Sequence, residues 1–204
     1  MSPRTRLVAL IALCALAFAS ATPALAKKKG KSGSTAPGKY KEWKGEIDVL
    51  EIVEAFERSG YQKVVVSGFD TSNVELPEAD DNTYEPVKTV LADPVTAFVE
   101  GLREESGMTV ETGEGGAGAL VISGVVDEMD PGSRAARYWG GFGAGAARTA
   151  LKLEVKDGGS GKTLLKIRQE RRSGVGVGGG NYVNLLNRNL RTIGEDVALV
   201  LDAF

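Results

Sequence analysis

The amino-acid sequence predicts an α/β protein, a two-layer sandwich in which helices pack mainly on one face of a mixed sheet of about five strands. Three observations lead to this fold class. An unbroken β-branched run at 64–66 is typical of a strand that is buried on both faces. Apolar residues recur at helical spacing over 87–102 and again after residue 182. Two later segments, 149–156 and 163–170, alternate between apolar and charged residues, as strands with one solvated face do.

The first elements of the domain are a helix and a strand. Apolar residues at positions 47, 50, 53 and 56 predict a short helix over 47–58, and Gly60 follows as a stop signal. The valine run predicts a central strand over 63–69, and the polar, acidic segment 70–85 is expected to be a loop.

The next apolar pattern, over 87–102, is interrupted by a proline. Asp93 suits the N-cap position of a helix and Pro94 suits the first helical position. We therefore expect a kinked helix, or one turn followed by a helix over 93–106 that ends at Gly107.

The second half of the domain is predicted to be mostly strand. Short and longer strands are expected over 108–112 and 119–129, followed by the two alternating strands. The glycine-rich segment 157–161 between them has the composition of a hairpin turn. A long amphipathic helix from Tyr182 to Phe204 ends the chain, so the predicted order is α-β-α-β-β-β-β-α.

The amino terminus is predicted to be an export signal. Residues 1–26 combine Arg4 and Arg6 with an apolar run over 7–18 and a small-residue cleavage site after Ala26. The apolar run is shorter than the ~20 residues that span a bilayer. Cys14, the single cysteine, lies inside this run, so cleavage would leave a chain without thiols or disulfides in an oxidising compartment. We expect the protein in the periplasm or cell envelope.

A basic segment follows the signal. Residues 27–45 are rich in lysine, glycine and serine and are predicted to be a flexible tether, with a single domain over 46–204. Two interpretations of this tether remain: it is a solvated linker, or it adheres weakly to anionic membrane or cell-wall polymer. Its first lysines would make that contact: Lys27, Lys28, Lys29 and Lys31.

Composition excludes several kinds of chemistry. The 204 residues contain no histidine, which removes Ser-His-Asp triads and imidazole metal sites. The net charge of −2 is the sum of +8 over residues 1–45, −16 over 46–130 and +6 over 131–204. We expect no cofactor, no metal and no nucleic-acid partner.

Two glycine motifs resemble nucleotide-binding loops but lack the neighbouring residues and elements that such loops require. The segment Gly158–Thr163 ends in Gly-Lys-Thr, but the position that requires another glycine holds Lys156, and a strand follows instead of a helix. The segment Gly174–Gly179 matches G-x-G-x-x-G, yet the chain ends after the following helix, without the second strand and acidic residue of a dinucleotide fold. A hairpin turn and a flexible connection are the preferred interpretations.

The candidate contact site is an arginine-aromatic cluster beside a run of small residues at 140–147. Tryptophan, tyrosine and arginine dominate the hot spots of protein interfaces. A purely structural loop is the alternative. The predicted partner-binding residues are Arg134, Arg137, Tyr138, Trp139 and Phe142.

Carboxylates leave an enzymatic alternative open. Two acidic groups, at 78–81 and 127–130, could meet in space and act as the acid and base of a hydrolase. Neither group has the spacing of a calcium loop.

Three blocks resemble one uncharacterised bacterial envelope family, the domain of unknown function 4410, many of whose members are lipoproteins. The blocks are residues 61–66, the Gly-Ser-Arg-Ala-Ala-Arg-Tyr block at 132–138 with its glycines at 141–145, and the hairpin over 151–162. The order of elements is more loosely similar to the amino-terminal domain of the Tol-system propeller protein and to lipoprotein activators of peptidoglycan synthases.

These resemblances imply an interaction module without catalysis. Our leading hypothesis is a non-enzymatic exported envelope protein that binds another envelope protein or a cell-wall polymer. A carboxylate-based hydrolase and a self-assembling structural protein are the alternatives.

Overall fold

The computed structural model describes residues 33–132, 145–173 and 181–204. Within these ranges the chain forms seven strands, three α-helices and one short 3-10 helix, Arg58–Gly60. The strands are β1 (Gly38–Trp43), β2 (Ile47–Ile52), β3 (Lys63–Asp70), β4 (Thr109–Thr112), β5 (Ala119–Asp130), β6 (Ala147–Asp157) and β7 (Thr163–Ser173). The α-helices are α1 (Tyr84–Ala92), α2 (Pro94–Glu105) and α3 (Tyr182–Leu201).

The described strands form one mixed sheet in the order β1-β2-β7-β6-β5-β3-β4. Strand β3 runs parallel to its neighbours β4 and β5, and every other neighbouring pair is antiparallel. The α/β class and the mixed sheet are therefore confirmed. The expected number of about five strands is wrong, because β1 and β2 extend the sheet beyond β7.

The segment at the start of the domain is a hairpin, and the predicted helix over 47–58 is wrong. Residues 47–52 form β2, which pairs with β1 through a turn in which Lys44 and Gly45 both have positive φ. The spacing of apolar residues in this stretch fits a helix, but Leu50 and Ile52 alternate towards the core as strand residues do. Gly38–Trp43, placed by composition in the flexible tether, is strand β1.

The middle of the chain follows the sequence-based prediction. Residues Val64, Val65 and Val66 of β3 are all buried, as expected for a central strand. Asp93 is the N-cap of α2, since its carboxylate accepts a hydrogen bond from the Thr96 backbone N–H at 3.1 Å, and Pro94 occupies the first helical turn. The proline thus separates α1 from α2 rather than kinking a single helix.

The glycine-rich segment between β6 and β7 is a hairpin turn, and this decides how the Gly-Lys-Thr motif is interpreted. The Asp157 carboxylate accepts a hydrogen bond from the Ser160 backbone N–H at 2.6 Å, and Gly161 has a φ of +72°. Because Thr163 opens β7, the segment leads into a strand and not into the helix that a phosphate loop requires.

The core is formed by buried side chains of the sheet together with those of α2 and α3. On β6 and β7 the odd-numbered residues face α3: Asn189 of α3 bonds Ser173, and Asp196 bonds Gln169. The largest completely buried side chains include Phe98, Leu102, Leu151, Leu165 and Leu186. None of the helices in the described ranges has the length and hydropathy to cross a membrane.

Two glycines allow α2 and α3 to touch backbone to backbone. A Cβ at Gly101 would stand 2.0 Å from the Arg191 carbonyl oxygen, and a Cβ at Gly194 would stand 2.1 Å from the Phe98 carbonyl oxygen. Each glycine therefore fills a position where the facing helix leaves no space for a side chain.

We expect Gly194→Ala to lower the free energy of unfolding by about 2 kcal/mol or more, because the added methyl meets rigid backbone and the helices must separate. Chemical denaturation measures this loss. Gly60→Ala is the matched control, since no heavy atom lies within 4 Å of the Cβ that it would add. Equal stability of both variants would contradict the close contact.

Candidate functional site

The residues predicted to form the contact site lie outside the described ranges. Arg134, Arg137, Tyr138, Trp139 and Phe142 all fall within 133–144, and the second glycine motif falls within 174–180. The same holds for the signal peptide and for the tether lysines at 27–31. The structure nevertheless places the residues that flank both internal segments.

Both segments leave from one end of the sheet, which we call the loop end: the carboxyl ends of β5 and β7 and the start of β6. Asp130 is the register partner of Arg148, and Ala147 is the partner of Ser173. Gly132 and Gly145 are in contact, since a Cβ on Gly132 would stand 2.2 Å from the Gly145 carbonyl oxygen.

One face of the sheet carries a lattice of charges, and we call it the open face. It is formed by the even-numbered residues of β6 and β7 with their partners on the neighbouring strands. Within β1, β2, β5, β6 and β7, the described ion pairs on it join seven basic to five acidic side chains. The basic residues are Lys39, Arg148, Lys152, Lys156, Lys166, Arg168 and Arg172, and the acidic ones are Glu51, Asp127, Glu128, Glu154 and Glu170.

Glu170 is the centre of this lattice near the loop end. Its carboxylate lies 2.7 Å from Arg172 Nε, 3.3 Å from Arg148 Nε and 4.0 Å from Arg168 Nη2. Arg148 also donates from Nη1 to Glu128 at 3.0 Å. The hydrogen bond from Arg172 to Glu170 raises the pKa of that guanidinium above its ordinary value. Three arginines thus share the Glu170 carboxylate, and two of them also face a second one, Arg148 that of Glu128 and Arg168 that of Asp127.

Buried polar groups fix α3 to the sheet behind the same end. Asp196, 5% exposed, accepts hydrogen bonds from Gln169 Nε2 at 2.7 Å and from Arg171 Nε at 2.6 Å. The hydrogen bond to Asp196 raises the pKa of the Arg171 guanidinium. Asn189, also buried, bonds Ser173 at the last residue of β7. These contacts hold the point from which segment 174–180 departs.

The helix side of the domain carries a groove of about 600 Å³ between the three helices. Its floor is apolar, with the buried Val90 and Ala97, and its rim is polar. The Arg191 guanidinium beside it is paired with both Glu104 and Glu195. The rim residues include Thr89, Glu100, Asn184, Asn187 and Arg188.

A second cleft, of about 490 Å³, lies near the carboxyl end of α3 and the start of β3. Phe56 stacks on Phe204 with ring centroids 4.6 Å apart and meets Tyr61 edge-on at 5.8 Å. Arg58 Nε lies 3.3 Å from an Asp202 carboxylate oxygen. This cluster ties the 3-10 helix to the end of α3.

Tyr61 in this cleft has a strongly altered acidity. Burial raises the pKa of its phenol to about 12, and the hydrogen bond that it donates to Asp157 at 3.0 Å acts in the same direction. The neutral phenol of Tyr61, which lies just before β3, therefore links the start of that strand to the tip of the β6–β7 hairpin.

Four aspartates have lowered pKa values, and each of them accepts hydrogen bonds in a turn or at the start of a helix. Hydrogen bonds from Ser72, Thr83, Thr96 and Ser160 lower the carboxyl pKa of their partners. A general acid requires a raised pKa, so these carboxyl groups are suited to structure and not to acid catalysis. The four aspartates are Asp70, Asp81, Asp93 and Asp157. In the ranges that the structure describes, no three acidic, histidine or cysteine side chains are arranged to hold a metal ion.

Sequence reasoning missed the open face and the Tyr61 cleft. The alternating charges of β6 and β7 were visible in the sequence, but the strand order was not, and only the order places Glu51 beside Lys166. The cleft joins residues near 58, 108 and 202, and no spacing pattern could have brought these together.

Comparison with known proteins finds one family. The family model described as "Domain of unknown function (DUF4410)" matches residues 64–176. No curated protein matches the chain. The PelC dodecamer from Paraburkholderia phytofirmans is similar in structure, with 14% identity, a TM-score of 0.42 and coverage of 72% of this chain and 95% of that chain. A single-substitution variant of that dodecamer has 13% identity, a TM-score of 0.43 and coverage of 72% and 93%.

We expect Asp196→Ala to lower the free energy of unfolding by about 2–4 kcal/mol, because it leaves Arg171 without its carboxylate and Gln169 without an acceptor. Asp196→Asn keeps an acceptor oxygen and should lose less. Urea denaturation measures both variants. If Asp196→Ala unfolds at the same urea concentration as the unchanged protein, the polar anchor of α3 is not required.

Tyr61 should ionise near pH 12, whereas an ordinary tyrosine ionises near pH 10. The folded pKa is raised, so the stabilisation from the neutral phenol is complete below pH 10 and is lost as pH rises through 12. Alkaline difference absorbance against Tyr61→Phe isolates this group, and Asp157→Asn should lower its midpoint. A midpoint near pH 10 would contradict the burial of the phenol.

Proposed function

The chain belongs to the DUF4410 family, and from this premise we propose that it is a non-enzymatic, exported protein of the cell envelope. In this proposal its domain is an interaction module that binds another envelope protein or a cell-wall polymer. The contact residues would be those of the arginine-aromatic cluster: Arg134, Arg137, Tyr138, Trp139 and Phe142.

The observation that supports this site is the convergence at the loop end. Segment 133–144 connects β5 to its neighbour β6, and segment 174–180 begins at the end of β7, beside the start of β6, and leads into α3. Binding residues are often carried by connecting segments that a rigid scaffold positions. Ala147 and Ser173 are buried register partners, so the scaffold at this point is firm.

The proposal includes a two-layer arrangement, with the helices on one face of the sheet. Helix α2 contacts β3 and β4, α3 contacts β6 and β7, and the two helices pack on each other. The charged open face would then be the second, solvated side of the sheet.

Export and surface contact belong to the same proposal. The signal at 1–26 would direct the chain to the periplasm or envelope, and Lys27, Lys28, Lys29 and Lys31 would add a weak contact with anionic membrane. Catalysis, cofactors and nucleic acid have no part in it.

The hydrolase alternative has no specific support in the contacts of its carboxylates. Asp127 faces Lys152 and Arg168 as part of the ion-pair lattice. Asp130 accepts a hydrogen bond from the Gly132 backbone N–H and closes a turn. Self-assembly of the protein remains a prediction, and light scattering of the purified chain would test it.

Affinity capture from envelope extract tests the contact site. Alanine at Arg134, Arg137, Tyr138 and Trp139 should reduce recovery of the specific partner by roughly tenfold or more, because such residues dominate interface energies. Recovery is measured by quantitative mass spectrometry of the captured material.

The control replaces a similar set of side chains on the helix side, Tyr84, Lys88 and Arg188, with alanine. Recovery with this control should match that of the unchanged chain. Unchanged recovery with the cluster variant would remove the site assignment, and equal losses with both variants would indicate a general effect on the protein.

A further inference from the structure

The groove between the three helices is lined by an arginine that differs from the other arginines of the structure. Seven of the eight arginines in the described ranges form an ion pair or a hydrogen bond with another residue. Within the same ranges Arg188 forms neither, although it lines the groove. Because a guanidinium presents its N–H donors in a planar fork that fits a carboxylate, Arg188 offers the groove a carboxylate-binding group. The seven paired arginines are Arg58, Arg103, Arg148, Arg168, Arg171, Arg172 and Arg191.

A carboxylate lines the same groove from the facing helix. Glu100 belongs to α2, whereas Arg188 belongs to α3, and no ion pair joins the two. Asp93, the other carboxylate of the lining, is engaged by the Thr96 backbone N–H and hydroxyl. Among the described residues Glu100 has no hydrogen bond or ion pair, so the two walls carry one unneutralised charge of each sign.

The second arginine of the lining, Arg191, is already held by carboxylates. Its Nε lies 3.0 Å from Glu104 Oε2 and 3.6 Å from Glu195 Oε1. The hydrogen bond to Glu104 raises the pKa of the Arg191 guanidinium, and the charge of Glu100 acts in the same direction. Glu100 is thus close enough for its charge to act on the arginine that lies one helical turn beyond Arg188.

Two carboxamides on α3 complete the polar lining. Asn184 and Asn187 lie one helical turn apart, and neither side chain bonds another residue of the described ranges. A carboxamide carries an acceptor oxygen and two N–H donors, so it can pair with both the N–H and the C=O of a peptide group. Between the walls lies the apolar floor with Val90, Ala97 and the half-buried Val183.

We propose that the groove binds a short peptide whose amino and carboxyl termini are both free. The peptide carboxylate pairs with Arg188, its ammonium group pairs with Glu100, and its peptide groups bond the carboxamides of Asn184 and Asn187. A ligand with a single charge would leave one wall unneutralised, and a neutral ligand would leave both. The groove volume of about 600 Å³ lies within the ~300–1,000 Å³ of ligand sites in proteins.

This groove is separate from the arginine-aromatic cluster, and the inference goes beyond the proposed envelope function without resting on it. Peptide binding at Arg188 and partner capture by residues 134–142 are measured in different experiments. Replacing Arg188 in the capture control therefore removes the peptide site and leaves the proposed partner site in place, so that either proposal can fail alone.

Heteronuclear NMR titration of the full chain with trialanine measures the dissociation constant and identifies the backbone amides whose signals shift. Two blocked peptides test the charges separately, since N-acetyl-trialanine lacks the ammonium group and trialanine amide lacks the carboxylate. The test variants are Arg188→Gln and Glu100→Gln. Lys88→Gln and Glu85→Gln are the matched controls, because they remove the same charges from α1 outside the groove lining.

We expect trialanine to shift the signals of residues 96–100 and 184–188, and each blocked peptide to bind roughly tenfold more weakly. Arg188→Gln should weaken trialanine binding roughly tenfold but leave the binding of trialanine amide unchanged, because that peptide has no carboxylate. By the same reasoning Glu100→Gln should weaken trialanine and leave N-acetyl-trialanine unchanged. The controls should alter the dissociation constant by less than about twofold, since exposed charges outside the groove are screened by salt.

Equal affinities for trialanine and its blocked forms would overturn the proposal, and this comparison uses the unchanged chain, so it holds even if a variant folds poorly. Equal losses in Arg188→Gln and Lys88→Gln would overturn it as well, as would shifts confined to residues outside the groove or no binding of trialanine. Binding of the neutral sugar maltotriose without binding of trialanine would assign the groove to polyhydroxylated ligands instead.

Discussion

Helices α2 and α3 approach so closely that a carbonyl oxygen of each lies 2.0–2.1 Å from the position that a Cβ would take on the other, at Gly101 and Gly194. This contact joins two parts of the chain that belong to different halves of the sheet. Helix α2 lies over β3 and β4, and α3 lies over β6 and β7. The helix pair therefore links the parallel part of the sheet to its antiparallel part, and the buried polar residues Asp196 and Asn189 fix α3 to β7.

Much of the fold could be predicted, because its local signals are strong. The buried valines of β3, the Asp93-Pro94 boundary and the glycine turn before β7 each specify local geometry that few other structures satisfy. The first hairpin could not be predicted, because its lysines resemble those of a linker and its apolar spacing fits a helix. Segment 38–43 is a strand because the buried Tyr40 and Trp43 pair with residues of β2.

The candidate site shows a second limit of prediction from the sequence. Sequence composition selected the arginine-aromatic cluster, and the strand order places the ends of its segment beside the start of the second glycine-rich segment. The charged lattice around Glu170 could be foreseen only in part. Arg168 and Arg172 lie two residues from Glu170 on the same strand, whereas Arg148 reaches it only because β6 and β7 are paired in register. Long-range pairing, and not local preference, produces this surface.

The position of the first hairpin affects the order in which the chain can fold. Strand β2 pairs with β7, and Val49 faces Arg168 near the other end of the sequence. A chain that leaves a ribosome or a translocation channel with its amino terminus first would expose β1 and β2 long before their neighbour emerges. The hairpin must wait unpaired on one side until β7 arrives, and such non-local closure is slow. The charged residues of β2, Asp48 and Glu51, would discourage pairing of this edge with foreign strands during the delay.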